Sequence, residues 1–267
     1  MEKYISVNDN VKLAVIEKKP NRDIKKIVIF CHGICEYKER YNEVSDYLVK
    51  NDYLTVLYDQ RGHGNSSGKK GYIDNYLDFV EDLHYLIDYY HKEYPNINIV
   101  IIGHSMGGLV VNLYNTLYND VEKIISIGAP GIYMSSVKPL KFLPLFLVKN
   151  FKIKNNFYKV LTSNMEYNLL QKDDPKCVSH MSLKLAKEMF IFGVKYLQKN
   201  INNCKTPIYY LHGKNDQIVS YKSSEYLFKH NPMAKDIKLF DGLGHEILNE
   251  PSKKEEIYKI VNDILLK

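Results

Sequence analysis

The sequence predicts an α/β protein, built on a mostly parallel central sheet with helices on both faces. An N-terminal β-hairpin precedes the sheet, and a helical segment is inserted after the sixth strand. Three observations predict this. Short, continuous apolar runs recur along the chain, as strands buried on both faces of a parallel sheet require. Helix-period segments lie between those runs, the alternation expected of a sheet covered on both sides. The 267 residues, 45% of them hydrophobic, suffice for one large domain with a substantial core.

The elements follow in order. "YISVNDNVKLAVIEKK" (4–19) alternates apolar and polar residues on both sides of an Asn-Asp-Asn turn, which reads as a hairpin. "KKIVIFCHG" (25–33), "YLTVLYDQ" (53–60), "INIVIIG" (97–103) and "KIISIGAP" (123–130) are the buried strands that come next. In "NYLDFVEDLHYLIDYYHKEYP" the set Tyr76, Phe79, Val80, Leu83, Leu86, Ile87 and Tyr90 keeps the i, i+3, i+4 rhythm until Pro95 closes the helix. A second helix is expected over about 106–118. "PIYYLHG" (207–213) and "DIKLFDGLGH" (236–245) supply two further strands. The last helix is expected to start on a capping box, Ser252 with Glu255, and to carry the stripe Ile257, Ile260, Val261 and Ile264. Residues 131–205 break the alternation, reading as mainly helical with no clear buried strand. The expected organisation is therefore a core of residues 1–130 and 206–267, with 131–205 as a cap over the carboxyl ends of the strands, where open α/β sheets bind ligands.

Charge and cysteine usage narrow the class. Lys and Arg number 37 against 31 Asp and Glu, a net charge of +6 spread along the chain. Nucleic acid is not the expected partner, while an anionic membrane surface stays open. The four cysteines, Cys31, Cys35, Cys177 and Cys204, show no C-x-x-C spacing and read as thiols of a reducing compartment. "MEKYISVNDN" has no apolar signal region, and no stretch reaches the roughly 18 apolar residues of a spanning helix. The expected location is cytoplasmic, at most peripheral to a membrane.

The chemistry is expected at "IIGHSMGGLV" (101–110), where Ser105 stands between glycines at a strand-to-helix junction. Such a serine either caps the helix in a tight turn or is a nucleophile elbow, G-x-S-x-G. A serine nucleophile needs a base, and the base needs a group to hold its tautomer. "LHGKNDQIV" places Asp216 after one strand and "GLGHEILNE" places His245 after the next, in the chain order Ser, Asp, His. The oxyanion needs donors: the N–H of Met106, at the positive end of the following helix, and that of Ile34 in "CHGICE", where His32-Gly33 make the turn.

Together "HGICEYKERY" (32–41), "YDQRGHGNSSG" (58–68), "GHSMGG" (103–108), "HGKNDQIV" (212–219) and "GLGHEILNE" (242–250) resemble the monoacylglycerol lipase and lysophospholipase branch of the α/β-hydrolase superfamily. The resemblance implies the α/β-hydrolase fold and an esterase needing no cofactor. It implies Ser105, Asp216 and His245 as the triad and Ile34 and Met106 as the oxyanion hole. His32, Gly33, Glu36, Gly103, His104 and Gly107 would support the site, and Asp59, Arg61 and His63 would brace it. His32 and His212 sit beside glycines at strand ends without metal-ligand spacing, so no metal is expected. Two positions depart from the family pattern. Cys35 replaces the second glycine of H-G-x-G-E, and Gln171 stands where the family places a tyrosine facing the glycerol end of the pocket.

Within the cap, "VKPLKFLPLFLVKNFKIK" (137–154) interleaves Lys138, Lys141, Lys149, Lys152 and Lys154 with Phe142, Leu143, Leu145, Phe146, Leu147 and Phe151. Its apolar side either packs inside the cap or meets a bilayer interface; both give an apolar lid suited to a hydrocarbon chain. The expected substrate is a lipid or ester with one acyl chain. A short-chain carboxylesterase or acyltransferase of the same fold is the near alternative, and a non-catalytic binding module the remote one. Peptidase activity lacks an acidic anchor for an amino terminus in the sequence. Oligomeric state is not legible.

Overall fold

The computed structural model describes residues 1–7, 11–148, 151–172 and 174–267. The N-terminal run folds as β1 (Glu2–Ser6) and β2 (Lys12–Lys18), antiparallel with Tyr4 opposite Ala14. The expected Asn8-Asp9-Asn10 turn lies outside the described residues. Then come β3 (Ile27–Cys31), α1 (Asn42–Val49), β4 (Leu54–Tyr58), α2 (Leu77–Glu93), β5 (Ile99–His104), α3 (Met106–Leu117) and β6 (Lys123–Ile127). The intervening segment holds α4 (Leu145–Val148), β7 (Lys152–Lys154), α5 (Met165–Leu170), β8 (His180–Ser182), α6 (Leu183–Lys187), a π-helical turn at Glu188–Gly193 and α7 (Val194–Asn200). The chain closes with β9 (Ile208–Gly213), α8 (Lys222–His230), β10 (Ala234–Phe240) and α9 (Lys254–Leu266).

Eight strands form one sheet in the order β1-β2-β4-β3-β5-β6-β9-β10. β2 meets β4 antiparallel, and every pair from β4 to β10 is parallel. β3 is buried along its whole length because alternate residues serve two cores. Ile27, Ile29 and Cys31 face one core, with α2 and α3; Val28 and Phe30 face the other, with α1 and α9. The α2 stripe from Phe79 to Tyr90 is buried as its period requires. Each such aliphatic side chain contributes roughly 1.5–3 kcal/mol by leaving water. The long parallel crossovers bring the loops after β3, β5, β9 and β10 to one edge of the sheet.

Two expectations fail. The capping box does not form: α9 starts at Lys254, its cap makes no side-chain hydrogen bond, and the Ser252 hydroxyl turns to Glu250 at 3.4 Å. The Glu250 carbonyl takes the N–H groups of Lys253 and Lys254 instead, at 3.0 and 2.9 Å. The intervening segment also contains a strand pair, β7 with β8, in which Met181 and Ser182 are buried. Strands of three residues are too short to leave a period in the sequence. The run from Glu188 to Asn200 docks on α3 by Met189, Val194 and Leu197, and with Leu185 joins the core that α2 and α3 cover.

Candidate active site

β5 enters the site and α3 leaves it, with Ser105 between them at φ 54° and ψ −118°. That backbone is strained for a residue with a side chain, a cost of order 1–3 kcal/mol that surrounding packing must offset. The packing is tight: a Cβ at Gly107 would lie 2.0 Å from the Cys31 carbonyl oxygen, and one at Gly103 2.3 Å from that of Gly107. Only glycines let the backbones approach so closely. The Ser105 N–H donates to the Ile127 carbonyl at 2.8 Å, fixing the turn to β6. Its hydroxyl caps nothing, which removes the capped-turn reading. The side chain faces a cavity of about 370 Å³ shared with His245.

His245 and Asp216 meet as the sequence expected. His245 Nδ1 donates to Asp216 Oδ2 at 2.6 Å, which leaves Nε2 as the basic nitrogen. Asp216 Oδ1 accepts the N–H groups of Ile218 and Val219 at 2.7 and 2.9 Å. Burial opposes its ionisation, but the His245 charge and hydrogen bonds from both histidines hold it well below the usual carboxylate range. The second histidine is His212, which sequence reasoning left as a strand-end residue. Its Nε2 faces Asp216 Oδ2 at 3.0 Å and the Val219 carbonyl at 2.9 Å, two acceptors, so it carries the proton there; Nδ1 then accepts from the Ser224 hydroxyl at 2.7 Å. Its place one residue before Gly213 at the end of β9 was the only signal.

Of the two expected oxyanion donors, Ile34 lines the cavity and Met106 opens α3 directly after Ser105. Among the described residues, no backbone carbonyl takes either N–H. His32 and Gly33 shape the loop, with His32 Nδ1 donating to the Gly33 carbonyl at 2.7 Å and Nε2 accepting the Gln60 N–H at 2.9 Å. Cys35 adopts φ 62°. The family glycine at this position is explained by that left-handed backbone, which a side chain tolerates at a cost of about 1–2 kcal/mol. Asp59, Arg61 and His63 act at one remove. Asp59 holds the Lys38 ammonium at 2.7 Å, Arg61 grips Asp82 with two bonds of 2.6 Å, and burial pushes His63 down to about 3.

Glu36 and His104 form a buried pair behind the site. His104 Nδ1 lies 3.3 Å from Glu36 Oε1, and Nε2 donates to the His245 carbonyl at 3.1 Å. Tyr41 donates to Glu36 at 2.8 Å, and Glu36 accepts the Gly33 N–H at 3.3 Å. One carboxylate thereby ties the loop after β3 to the segment that carries His245. Burial opposes both charges, yet each partner overcomes it for the other, so Glu36 is held low and His104 high. A lowered carboxyl stabilises the fold above its unfolded value, near 4.5, and loses this as pH falls through its depressed folded value. A raised imidazole stabilises below its unfolded value, near 6.5, and loses this as pH rises through its elevated folded value. The pair is therefore fully effective between those two pH values. Glu36→Gln is expected to cost about 3–5 kcal/mol there, with a shrinking penalty at higher pH, read by urea unfolding of both proteins across pH. A penalty flat across pH would refute the charged pair.

The rest of the cavity is part apolar and part charged. Phe157, Tyr158, Leu161 and Ile218 line it, and Arg40, Gln171 and Glu246 form its polar end. Arg40 Nη2 donates to Glu246 Oε2 at 2.5 Å and Nη1 donates to Gln171. Arg40 Nε and Glu246 Oε1 are buried and unpartnered. Gln171 thus reaches the pocket as expected. Glu36, expected to support the site, lines the cavity, and the sequence missed that Asp174 and Glu246 line it too; each is engaged, Asp174 by the Tyr37 hydroxyl at 2.5 Å. His84, Asp88 and Asp120 come within 4.8 Å of one another, and none of them lines the cavity.

A mostly parallel sheet with a strained serine elbow, facing a His–Asp pair across a pocket, defines a carboxylic ester hydrolase of the α/β-hydrolase fold. The chain belongs to the family described as serine aminopeptidase, S33, whose model matches residues 22–252. Its relatives include the monoacylglycerol lipase of Mycolicibacterium smegmatis, 26% identical over 244 residues that cover 88% of this chain and 86% of the relative. The human monoglyceride lipase is 23% identical over 254 residues, covering 91% and 83%. Among solved structures, a soluble variant of Saccharomyces cerevisiae monoglyceride lipase in complex with a substrate analogue has a TM-score of 0.86. It is 23% identical and covers 98% of this chain and 94% of that one. The Paleococcus ferrophilus monoacylglycerol lipase has a TM-score of 0.81 at 22% identity, covering 94% and 98%.

Proposed function

We propose that the protein hydrolyses the ester of a lipid carrying one acyl chain, with Ser105, His245 and Asp216 as the catalytic triad. The observation that carries this is the strained Ser105 elbow opening on the same cavity as a His245 already oriented by Asp216. His245 Nε2 takes the Ser105 proton as the hydroxyl attacks the ester carbonyl. The N–H groups of Ile34 and Met106 receive the developing oxyanion. His245 then protonates the departing alcohol, leaving an acyl-enzyme; water, deprotonated by His245, attacks it and releases fatty acid and Ser105.

Residues 131–205 act as the cap in this reading. Val137 and Leu140 pack inward, but Phe142, Phe146 and Phe151 are 85%, 68% and 64% exposed, with Lys138, Lys141 and Lys152 among them. Such a surface favours the bilayer interface over the packed alternative for this stretch; Lys149 lies outside the described residues. No helix of the described residues is long and apolar enough to cross a membrane. Arg40 and Glu246 line the same cavity, and their charged side chains favour a polar alcohol part of the substrate.

The test is hydrolysis of a monoacylglycerol, a lysophosphatidylcholine, p-nitrophenyl esters of graded chain length and an aminoacyl p-nitroanilide. Turnover of the long-chain monoacyl lipids is expected, and none of the anilide. Fast turnover confined to short aryl esters would move the reading to a carboxylesterase. In parallel, Phe142→Ser with Phe146→Ser is expected to lower partition onto phosphatidylglycerol-containing vesicles by about tenfold or more, from the lost apolar burial. Unchanged partition would remove the interface role.

A further inference from the structure

Four cysteines are free among the described residues, and two of them, Cys35 and Cys177, line the cavity at Ser105. They come from different segments that meet at its wall. Cys35 belongs to the loop after β3 that carries Ile34, whereas Cys177 lies between α5 and β8. The Val178 N–H donates to the Cys35 carbonyl at 3.0 Å. This bond holds the Cys35 backbone against Val178, and Cys177 is the adjoining residue, near enough to act on the Cys35 thiol. A disulfide spans about 4.4–6.8 Å between Cα atoms. The other two cysteines are placed differently: Cys31 is buried in β3 beneath the Tyr58 hydroxyl, 3.1 Å from its sulfur, and Cys204 is buried beyond α7.

We propose that Cys35 and Cys177 are a modification site, a thiol pair that a peroxide converts to a disulfide fastening the cap to the oxyanion loop. One thiol is oxidised to a sulfenic acid while the peroxide O–O bond is reduced, giving water or an alcohol. The second sulfur attacks the sulfenic sulfur, the S–S bond forms, and water leaves with the remaining oxygen. A dithiol reverses the step by exchange.

Three features of the site follow. Burial pushes the Cys177 thiol up to about 12 and raises Cys35 as well, with Cys177 close enough to add to that rise. Both are thus thiols at neutral pH, and oxidation is slow. Cys35 directly follows Ile34, so a bridge drawing its sulfur toward Cys177 displaces an oxyanion donor. The bridge also fixes the segment carrying Asp174, another residue of the cavity wall. The closed ring takes in the whole chain between the two positions, so the segment at Cys177 is held to the loop after β3.

The experiment incubates the full chain with hydrogen peroxide for hours, alkylates the remaining thiols and measures peptide masses. A cross-linked pair holding Cys35 and Cys177 is expected, about 2 Da lighter than the two thiol peptides together. Labelling of Ser105 by a fluorophosphonate is expected to slow at least about tenfold, as when an oxyanion donor is lost, and to recover with dithiothreitol. Cys35→Ser and Cys177→Ser, each compared with its own untreated sample, should show neither change. The proposal is overturned if the two thiols end as sulfinic acids or stay reduced. It is also overturned if the bridge joins another cysteine, or if Cys177→Ser loses labelling as wild type does. The inference rests on the proposed function only for the labelling readout. A bridge forming in a protein that the fluorophosphonate never labels would overturn that function and leave the pair standing.

Discussion

Ser105→Ala is expected to lower kcat on a monoacyl lipid by about a million-fold, with thermal unfolding close to that of the wild type. The hydroxyl caps no helix and the strained backbone is set by glycines on both sides, so its loss removes the nucleophile and little else. His245→Ala is expected to cost about as much, and the double variant no more than either, because nucleophile and base act as one unit. Steady-state rates on the three proteins check this. If the double variant loses the product of the two single losses, the residues act independently and the triad reading is wrong.

Asp216→Asn is expected to lower kcat by about ten thousand-fold with the geometry kept. Asp216 offers only acceptors, and four donors converge on it: His245, His212 and the N–H groups of Ile218 and Val219. An asparagine must aim its amide N–H₂ at one pair of them. With Oδ1 held by the two backbone donors, the N–H₂ faces His245 and forces the imidazole to accept at Nδ1. The proton then moves to Nε2, where Ser105 needs a base. Single-turnover rates with a chromogenic ester read the chemical step directly. A loss below about tenfold would mean that Asp216 only packs the loop.

Part of this site was legible in the chain. Ser105, Asp216 and His245 could be chosen because each follows an apolar run that reads as a strand, and parallel strands deliver such loops to one edge. Gly103 and Gly107 could be read as close-approach glycines from their spacing around Ser105. The residues around these three were less visible. His212 looked like a strand end, and Arg40 finds Glu246 across 206 positions and Gln171 across 131. No periodicity encodes such a pairing. Even a local signal failed at Ser252, because the Glu250 carbonyl supplied the bonds that a serine cap would have made.

By itself, then, the sequence determined the order of the eight strands of the main sheet, their burial on two faces and the residues of the expected triad. These depend on alternation, helical period and turn chemistry, which act between near neighbours. Only the tertiary structure decided that Cys35 sits in a left-handed backbone, that Glu36 couples Gly33 to His104, and that Cys177 comes to lie beside Cys35. Those contacts join segments far apart in the chain, and their energies depend on burial and on distances that exist only after residues 131–205 have packed against the rest.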